Sequence, residues 1–341
     1  MRFGDVPIDE ATGAVLAHSV RVGGVKMGKG RVLSDLDVDE LRTAGVTSVI
    51  AARLDPEDVS EDEAATRVAS ACVGDSIEAG AAATGRVNLH ATARGVLVYA
   101  PATVDTINAI DESVTIACLP PGSLVEAGQM VATVKIIPFA VPGDSLKRCE
   151  SVAAEAGPAL MVAPLRPLQV GLIQTKLGET SAKMLDKTAR VTAERIEALG
   201  GTMLDEVRCA HDEGETATAI SGLVDAGAEL VVIAGASAIT DRRDTVPAAI
   251  TRAGGRIEHF GMPVDPGNLL LLAALDDGLP VVGLPGCARS PKLNGFDWVL
   301  WRLFAGVPVT RADIMAMGVG GLLTEIPTRP RPREGGKTGS T

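Results

Sequence analysis

From Leu168 onward the sequence alternates short apolar runs with amphipathic stretches, and no other feature constrains the fold as strongly. LQVGLIQT reads as a strand. SAKMLDKTARVTAERIEALGG reads as a helix with one apolar face and a Gly-Gly stop. TMLDEVRC is a second strand, EGETATAISGLVDAGA a helix, ELVVIAG a strand, TVPAAITRAGG a helix, PVVGLP a strand and FDWVLWRLFAG a helix. Strands interleaved with helices predict an α/β domain, three layers deep (αβα), with a mostly parallel sheet. Ligands of such sheets sit at the carboxyl ends of the strands. The Gly-rich and polar loops of this sequence fall at those ends.

Residues 1–150 read differently. Val/Ile-rich runs such as GVTSVIAARL, RGVLVYAPA, SVTIACLPPG and GQMVATVKIIPFAV are broken by Gly, Pro and Asp, which predicts a β-rich N-terminal domain. DVDELRTA (Asp37–Ala44) and EDEAATRVASACV are its helical exceptions. PPGSLVEAGQMVATVK resembles one arm of a barrel-sandwich module of the biotinyl/lipoyl kind, without that family's carrier lysine; the alternative is a Gly-turned hairpin. Residues 151–167 read as a connection, 168–326 as the α/β domain, and 327–341, rich in Pro, Gly and Arg, as a disordered tail. Two domains suit 341 residues at about 150 per domain.

Composition narrows the function classes. The chain is 46% hydrophobic but 2% aromatic, so its core is built from Ala, Val, Leu and Ile. A net charge of -11 argues against binding nucleic acid through its backbone, which requires a basic face. The opening MRFGDVPIDE has no apolar segment of the signal-peptide kind, and no apolar run approaches membrane-spanning length. Five cysteines without a CxxC and four scattered histidines disfavour a zinc site or a disulfide framework, and fit a reducing cytoplasm. No nucleic-acid or membrane partner is expected.

Three loops follow three apolar strands of the second half: Thr175–Thr180 (TKLGET), Ala234–Asp244 (AGASAITDRRD) and Leu284–Ser290 (LPGCARS). In a parallel sheet all three open at one edge. Small residues there let backbone amides approach an anion. Ser237 and Ser290 can donate to phosphate oxygens, and Arg242, Arg243 and Arg289 can pair with them. Glu179, Asp241 and Asp244 are carboxylates that suit Mg²⁺ shared with a phosphate. Each loop also has a plainer reading. Gly-rich turns are common after strands, Asp244 can cap the helix that starts near Thr245, and Arg242 and Arg243 can be a solvated pair. Spacing alone predicts a phosphate-like ligand with a divalent cation.

At these loops the sequence resembles the molybdopterin-binding domain shared by molybdopterin adenylyltransferases, molybdopterin molybdotransferases and the competence-damage family. Gly235-Ala236-Ser237 stands where the family has G-G-x-S or G-G-T-G, and Leu284-Pro285-Gly286-Cys287 where it has P-G-N-P. Arg243-Asp244-Thr245-Val246-Pro247-Ala248-Ala249 is similar to the R-D-x-x-P-x-A run of the adenylyltransferases. Asp265-Pro266-Gly267-Asn268 is similar to x-P-G-K-P of the molybdotransferases, and Glu179 falls near an acidic T-G-D-E position. The resemblance spans roughly 168–306, with a weaker match at 30–49. The sequence departs from the family at Ala234 (for Gly), Cys287-Ala288 (for Asn-Pro) and Asn268 (for Lys).

The resemblance implies a cytoplasmic, homo-oligomeric protein of molybdenum cofactor biosynthesis. Its ligand or substrate is molybdopterin or adenylylated molybdopterin, with Mg²⁺ as cofactor. It implies phosphate contacts from Gly235, Ser237, Pro285, Gly286, Arg289 and Ser290, a metal held by Glu179, Asp241 and Asp244, and catalytic roles for Asp244 and Arg243. The activity, if present, is molybdate insertion or adenylyl transfer. The departures leave open a non-catalytic carrier or regulatory module, and the competence-damage branch leaves open nucleotide hydrolysis.

Overall fold

The computed structural model describes residues 1–155, 157 and 159–323. The expected tail at 327–341 lies outside the described residues. The chain divides into two units, Met1–Pro164 and Leu165–Thr341.

The first unit is β-rich, as the short Val/Ile runs predict. Arg2–Pro7, Ser48–Arg53 and Val15–Leu16 form a three-stranded sheet with Ser48–Arg53 in the middle. The helix Asp35–Thr43 packs Val38 and Leu41 into the core of this part. A Ser34–Asp37 capping box starts that helix. Val114–Cys118, Met130–Ile136, Arg86–Ala91 and Ile77–Ala79 form a four-stranded sheet. Leu124–Val125, Gly95–Val98 and Met161–Pro164 form another.

Leu124–Val125 pairs with Gly95–Val98, whereas Met130–Ile136 pairs with Arg86–Ala91 and Val114–Cys118. The PPGSLVEAGQMVATVK segment is therefore no hairpin; its two strands enter different sheets. Residues 151–164 belong to this unit rather than to a free connection. The helix Gly143–Glu155 buries Leu146, Cys149 and Ala153, and Met161–Pro164 is a paired strand. Pro164 is tolerated because that strand lies at the sheet's edge, paired on one side.

The second unit is built on one six-stranded sheet. Its elements are β1 (Gln169–Lys176), α1 (Ala182–Ala198), β2 (Thr202–Ala210), α2 (Glu213–Asp225), β3 (Leu230–Ala234), α3 (Thr245–Arg252), β4 (Gly255–Phe260), β5 (Leu271–Leu275), β6 (Pro280–Gly283), α4 (Gly295–Phe304) and α5 (Arg311–Ala316). The strand order is β2-β1-β3-β6-β5-β4. The first four are parallel; β5 runs antiparallel to both β6 and β4, so it is the reversed strand and β4, at the edge, runs with the first four. All five residues of β3 are buried, the pattern of a strand covered on both faces.

Side-chain alternation along β1 assigns the two faces. A Cβ on Gly171 would come within 2.7 Å of Leu223 on α2, so glycine is what lets that helix approach the sheet. Ile173, also of β1, joins Ile220, Leu223, Val246 and Ile250 in one apolar cluster, which puts α2 and α3 on this face. Gln174 points the other way and donates to the Leu185 carbonyl of α1. On α1 the buried positions Leu185, Thr188, Val191, Thr192 and Ile196 recur at helical spacing. Among the described residues no helix is long and apolar enough to cross a membrane.

Candidate functional site

Parallel pairing brings three chain segments to one edge. Gln174 of β1 registers with Arg208 of β2 and Ala234 of β3, so the residues that follow all leave the sheet on the same side. Thr175 is the last buried residue of β1. Its Oγ1 accepts the Ala236 backbone N–H at 2.8 Å and lies 2.8 Å from Nδ1 of His211, just past β2. Nε2 of His211 lies 3.2 Å from Oγ of the exposed Ser237. His211 is fixed from behind by its own backbone N–H, which donates to the Lys176 carbonyl at 2.8 Å. One side-chain chain thus links the loops after β1, β2 and β3.

A second group at the rim carries charge. Arg289, in the short 3₁₀ turn Gly286–Arg289 after β6, donates through Nη2 to the Gly235 carbonyl at 2.7 Å and through Nη1 to Met184 Sδ at 3.0 Å. No carboxylate among the described residues pairs with it. Burial lowers its pKa below the ordinary arginine value, through the lost hydration of the cation. Gln174, fully buried, spends both amide hydrogens on the Leu185 carbonyl (2.8 Å) and Glu206 Oε1 (2.6 Å). Its Oε1 has no hydrogen-bond partner. Gln174 and Arg289 both meet the first turn of α1, at Leu185 and Met184.

The loop that carries Arg289 is stapled by Arg195 of α1. Its guanidinium pairs with Asp297 of α4 at 2.7 Å and donates to the carbonyls of Ala288 (2.7 Å), Ser290 (2.5 Å) and Lys292 (3.1 Å). Asp297 also accepts the Asn294 N–H in the capping box that opens α4.

The expected site residues divide into those at this rim and those spent on local structure. Gly235 anchors Arg289, and a Cβ there would come within 2.9 Å of the Ser237 carbonyl oxygen, so only glycine fits the turn. Ser237 joins the His211 chain. Pro285 is buried and its carbonyl closes the turn onto Ala288 N; Gly286 is exposed, with open space at its Cβ position. Ser290 offers its carbonyl to Arg195, while its Oγ accepts Lys292 N–H at 3.4 Å.

The acidic residues are arranged otherwise. Asp244 caps α3, accepting Thr245 N at 2.8 Å and Thr240 N at 3.2 Å. Asp241 accepts the backbone N–H and Nε of Arg243, and those bonds hold its carboxyl below the usual carboxylate range. Arg243 is 92% exposed and pairs with Asp241. Glu179 is exposed in a turn closed by Thr180. Among the described residues no group of three or more His, Cys, Asp or Glu side chains is placed to hold a metal ion. Asn268 is exposed and donates to the Met262 carbonyl.

Sequence reasoning put Thr175 in a rim loop without a role and missed His211, Gln174 and Arg195. Gln174 and Thr175 lie next to the end of β1 and His211 is the first residue past β2, positions that a rule about strand ends singles out. Arg195 has no motif; on a helix pattern it is one more charge.

A family model described as "Domain of unknown function (DUF8806)" matches residues 5–53, within the first unit. No curated protein matches. A solved molybdenum cofactor biosynthesis protein from Pyrococcus furiosus is similar at 12% identity with a TM-score of 0.23; the match covers 90% of this chain and 66% of that one. NadC from Streptococcus pyogenes is similar at 16% identity with a TM-score of 0.17, over 49% of this chain and 68% of that one. With TM-scores this low, any functional reading rests on the site itself.

Proposed function

We propose that this chain binds molybdopterin, or its adenylylated form, by the phosphate at the carboxyl edge of the six-stranded sheet, and that it serves molybdenum cofactor biosynthesis. The observation that carries the reading is Arg289. A half-buried guanidinium without a carboxylate partner among the described residues, steered by the Gly235 carbonyl, is an unneutralised cation in a site fit for an oxyanion. It sits on the turn whose residues resemble the family's phosphate loop. Gly235 and Gly286 keep that approach free of side chains.

Within this function, a carrier is favoured over a transferase. The carboxylate oxygens of Asp244 accept backbone amides at a helix cap, and Asp241 is paired with Arg243. These residues do not gather into a cage for Mg²⁺. Magnesium belongs to the reading as an ion carried on the ligand's phosphate oxygens, which is its usual mode, and no catalytic step is derived through it.

The test is calorimetric titration of the purified chain with molybdopterin, with and without Mg²⁺, beside Arg289→Met and Asp244→Ala. The expected result is binding that falls at least tenfold in Arg289→Met, in keeping with the loss of one charge-assisted contact. Asp244→Ala is expected to bind as the parent does. No binding by the parent chain defeats the reading. Metal-dependent binding lost in Asp244→Ala revives the transferase.

A further inference from the structure

Ser237, His211 and Thr175 look like the serine, base and orienting group of a nucleophilic triad. The hydrogen-bond bookkeeping runs the other way. A hydroxyl has one hydrogen to give and two lone pairs to receive. Thr175 Oγ1 receives the Ala236 N–H, a main-chain donor that cannot reverse. Thr175 is 1% exposed, and among the described residues the other partner of its hydroxyl is His211 Nδ1. If Nδ1 carried the proton, Thr175 would receive twice and its own hydrogen would be buried without an acceptor, a state that proteins avoid. Thr175 therefore donates to Nδ1. The neutral imidazole then carries its hydrogen on Nε2 and donates it to Ser237 Oγ at 3.2 Å.

We propose that Ala236 N–H, Thr175, His211 and Ser237 form a one-way donor chain that ends on an outward-aimed Ser237 hydroxyl, making Ser237 a fixed donor to a bound oxyanion rather than a nucleophile, with His211 as its positioning residue. The inference deepens the reading of an anion site at Arg289. Gly235, which Arg289 grips, lies two residues before Ser237 in the same turn, so one phosphate-like group is offered a guanidinium and an oriented hydroxyl. A ligand must present an acceptor oxygen to the serine. Each donor in the chain polarises the next, which strengthens the last bond.

The first measurement needs no ligand. Long-range nitrogen–proton NMR of the histidine-labelled chain at a pH where His211 is neutral should show its hydrogen on Nε2 and Nδ1 as the acceptor; a hydrogen on Nδ1 overturns the proposal. The second is calorimetric titration with pyrophosphate. Ser237→Ala and His211→Phe are each expected to weaken binding by about tenfold to a hundredfold, the worth of one hydrogen bond to a charged group. The double variant should be no weaker than the poorer single one, because the two act in series. His211→Gln, which keeps a donor and an acceptor at its tip, should recover part of the loss. Unchanged binding in Ser237→Ala overturns the proposal, as does covalent labelling of Ser237 by a fluorophosphonate. If the parent chain binds no pyrophosphate, the anion site itself fails, and the tautomer still decides the direction of the chain.

Discussion

Replacing Arg195 with methionine isolates what holds the Arg289 loop in place. Methionine keeps much of the apolar stem and removes the guanidinium. The Arg195 and Asp297 side chains are only 9% and 10% exposed, so the substitution strands a buried carboxylate. It also removes donors from the carbonyls of Ala288, Ser290 and Lys292. Breaking a buried pair from one side costs about 3–5 kcal/mol. The carbonyls of Ser290 and Lys292 add little to that range, since those residues are partly or fully exposed and can turn to water. The expected loss is about 4 kcal/mol, or roughly 8–16 °C in the melting of a unit this size.

The chain contains two tryptophans, Trp298 and Trp301, and both lie on α4, the helix that Asp297 helps to start. Denaturant unfolding followed by tryptophan fluorescence therefore reports this unit selectively. Arg190→Met is the matched control. Its 2.6 Å pair with Glu194 is exposed on both sides, and such pairs contribute at most about 1 kcal/mol. If Arg195→Met costs no more than Arg190→Met at an unchanged denaturant slope, the staple is not holding the loop and the reasoning is wrong.

Three further outcomes follow from the geometry. Gly235→Ala forces a Cβ to within 2.9 Å of a backbone oxygen and should cost about 1–3 kcal/mol along with anion binding, whereas Gly286→Ala meets open space and should leave thermal stability unchanged. Asp244→Ala removes the cap of α3 and should lower stability in urea titrations by about 1 kcal/mol. Burial, with Arg311 and Arg242 nearby, holds His259 below its ordinary pKa, so the unfolded chain takes up its proton first. Stability from this residue is complete above about pH 6.5 and is lost as pH falls from there through the lower folded value. A flatter acid limb in His259→Gln, seen by urea titration at stepped pH, is the check.

Much of the second unit could be read from the chain. The strand and helix spans from Leu168 to Gly306 follow from hydrophobic period and Gly stops, and the three rim loops follow from what strand ends do in parallel sheets. The reversed direction of β5 could not be read, because an apolar run such as Leu271–Leu275 carries no sign of its direction. In the first unit Pro101–Ile110 and Gly143–Glu155 escaped notice: one is rich in β-branched residues, the other sits among prolines. At the site, the turn glycines were legible because backbone sterics restrict which residue fits. The His211 chain was not, since Thr175, His211 and Ser237 lie 36 and 26 residues apart and meet only when β1, β2 and β3 align. Asp244 carried two readings in sequence, and the cap is the one with hydrogen bonds behind it.

Arg289 is gripped by a main-chain oxygen, and every amino acid carries that same oxygen. Substitutions at neighbouring positions of the turn, Ala234 among them, can accumulate over evolutionary time without removing the arginine's anchor. The arginine has no such substitute. Across descendants of this sequence the turn should drift in its side chains around an unvarying Gly235, while position 289 stays arginine for as long as an anion is bound there.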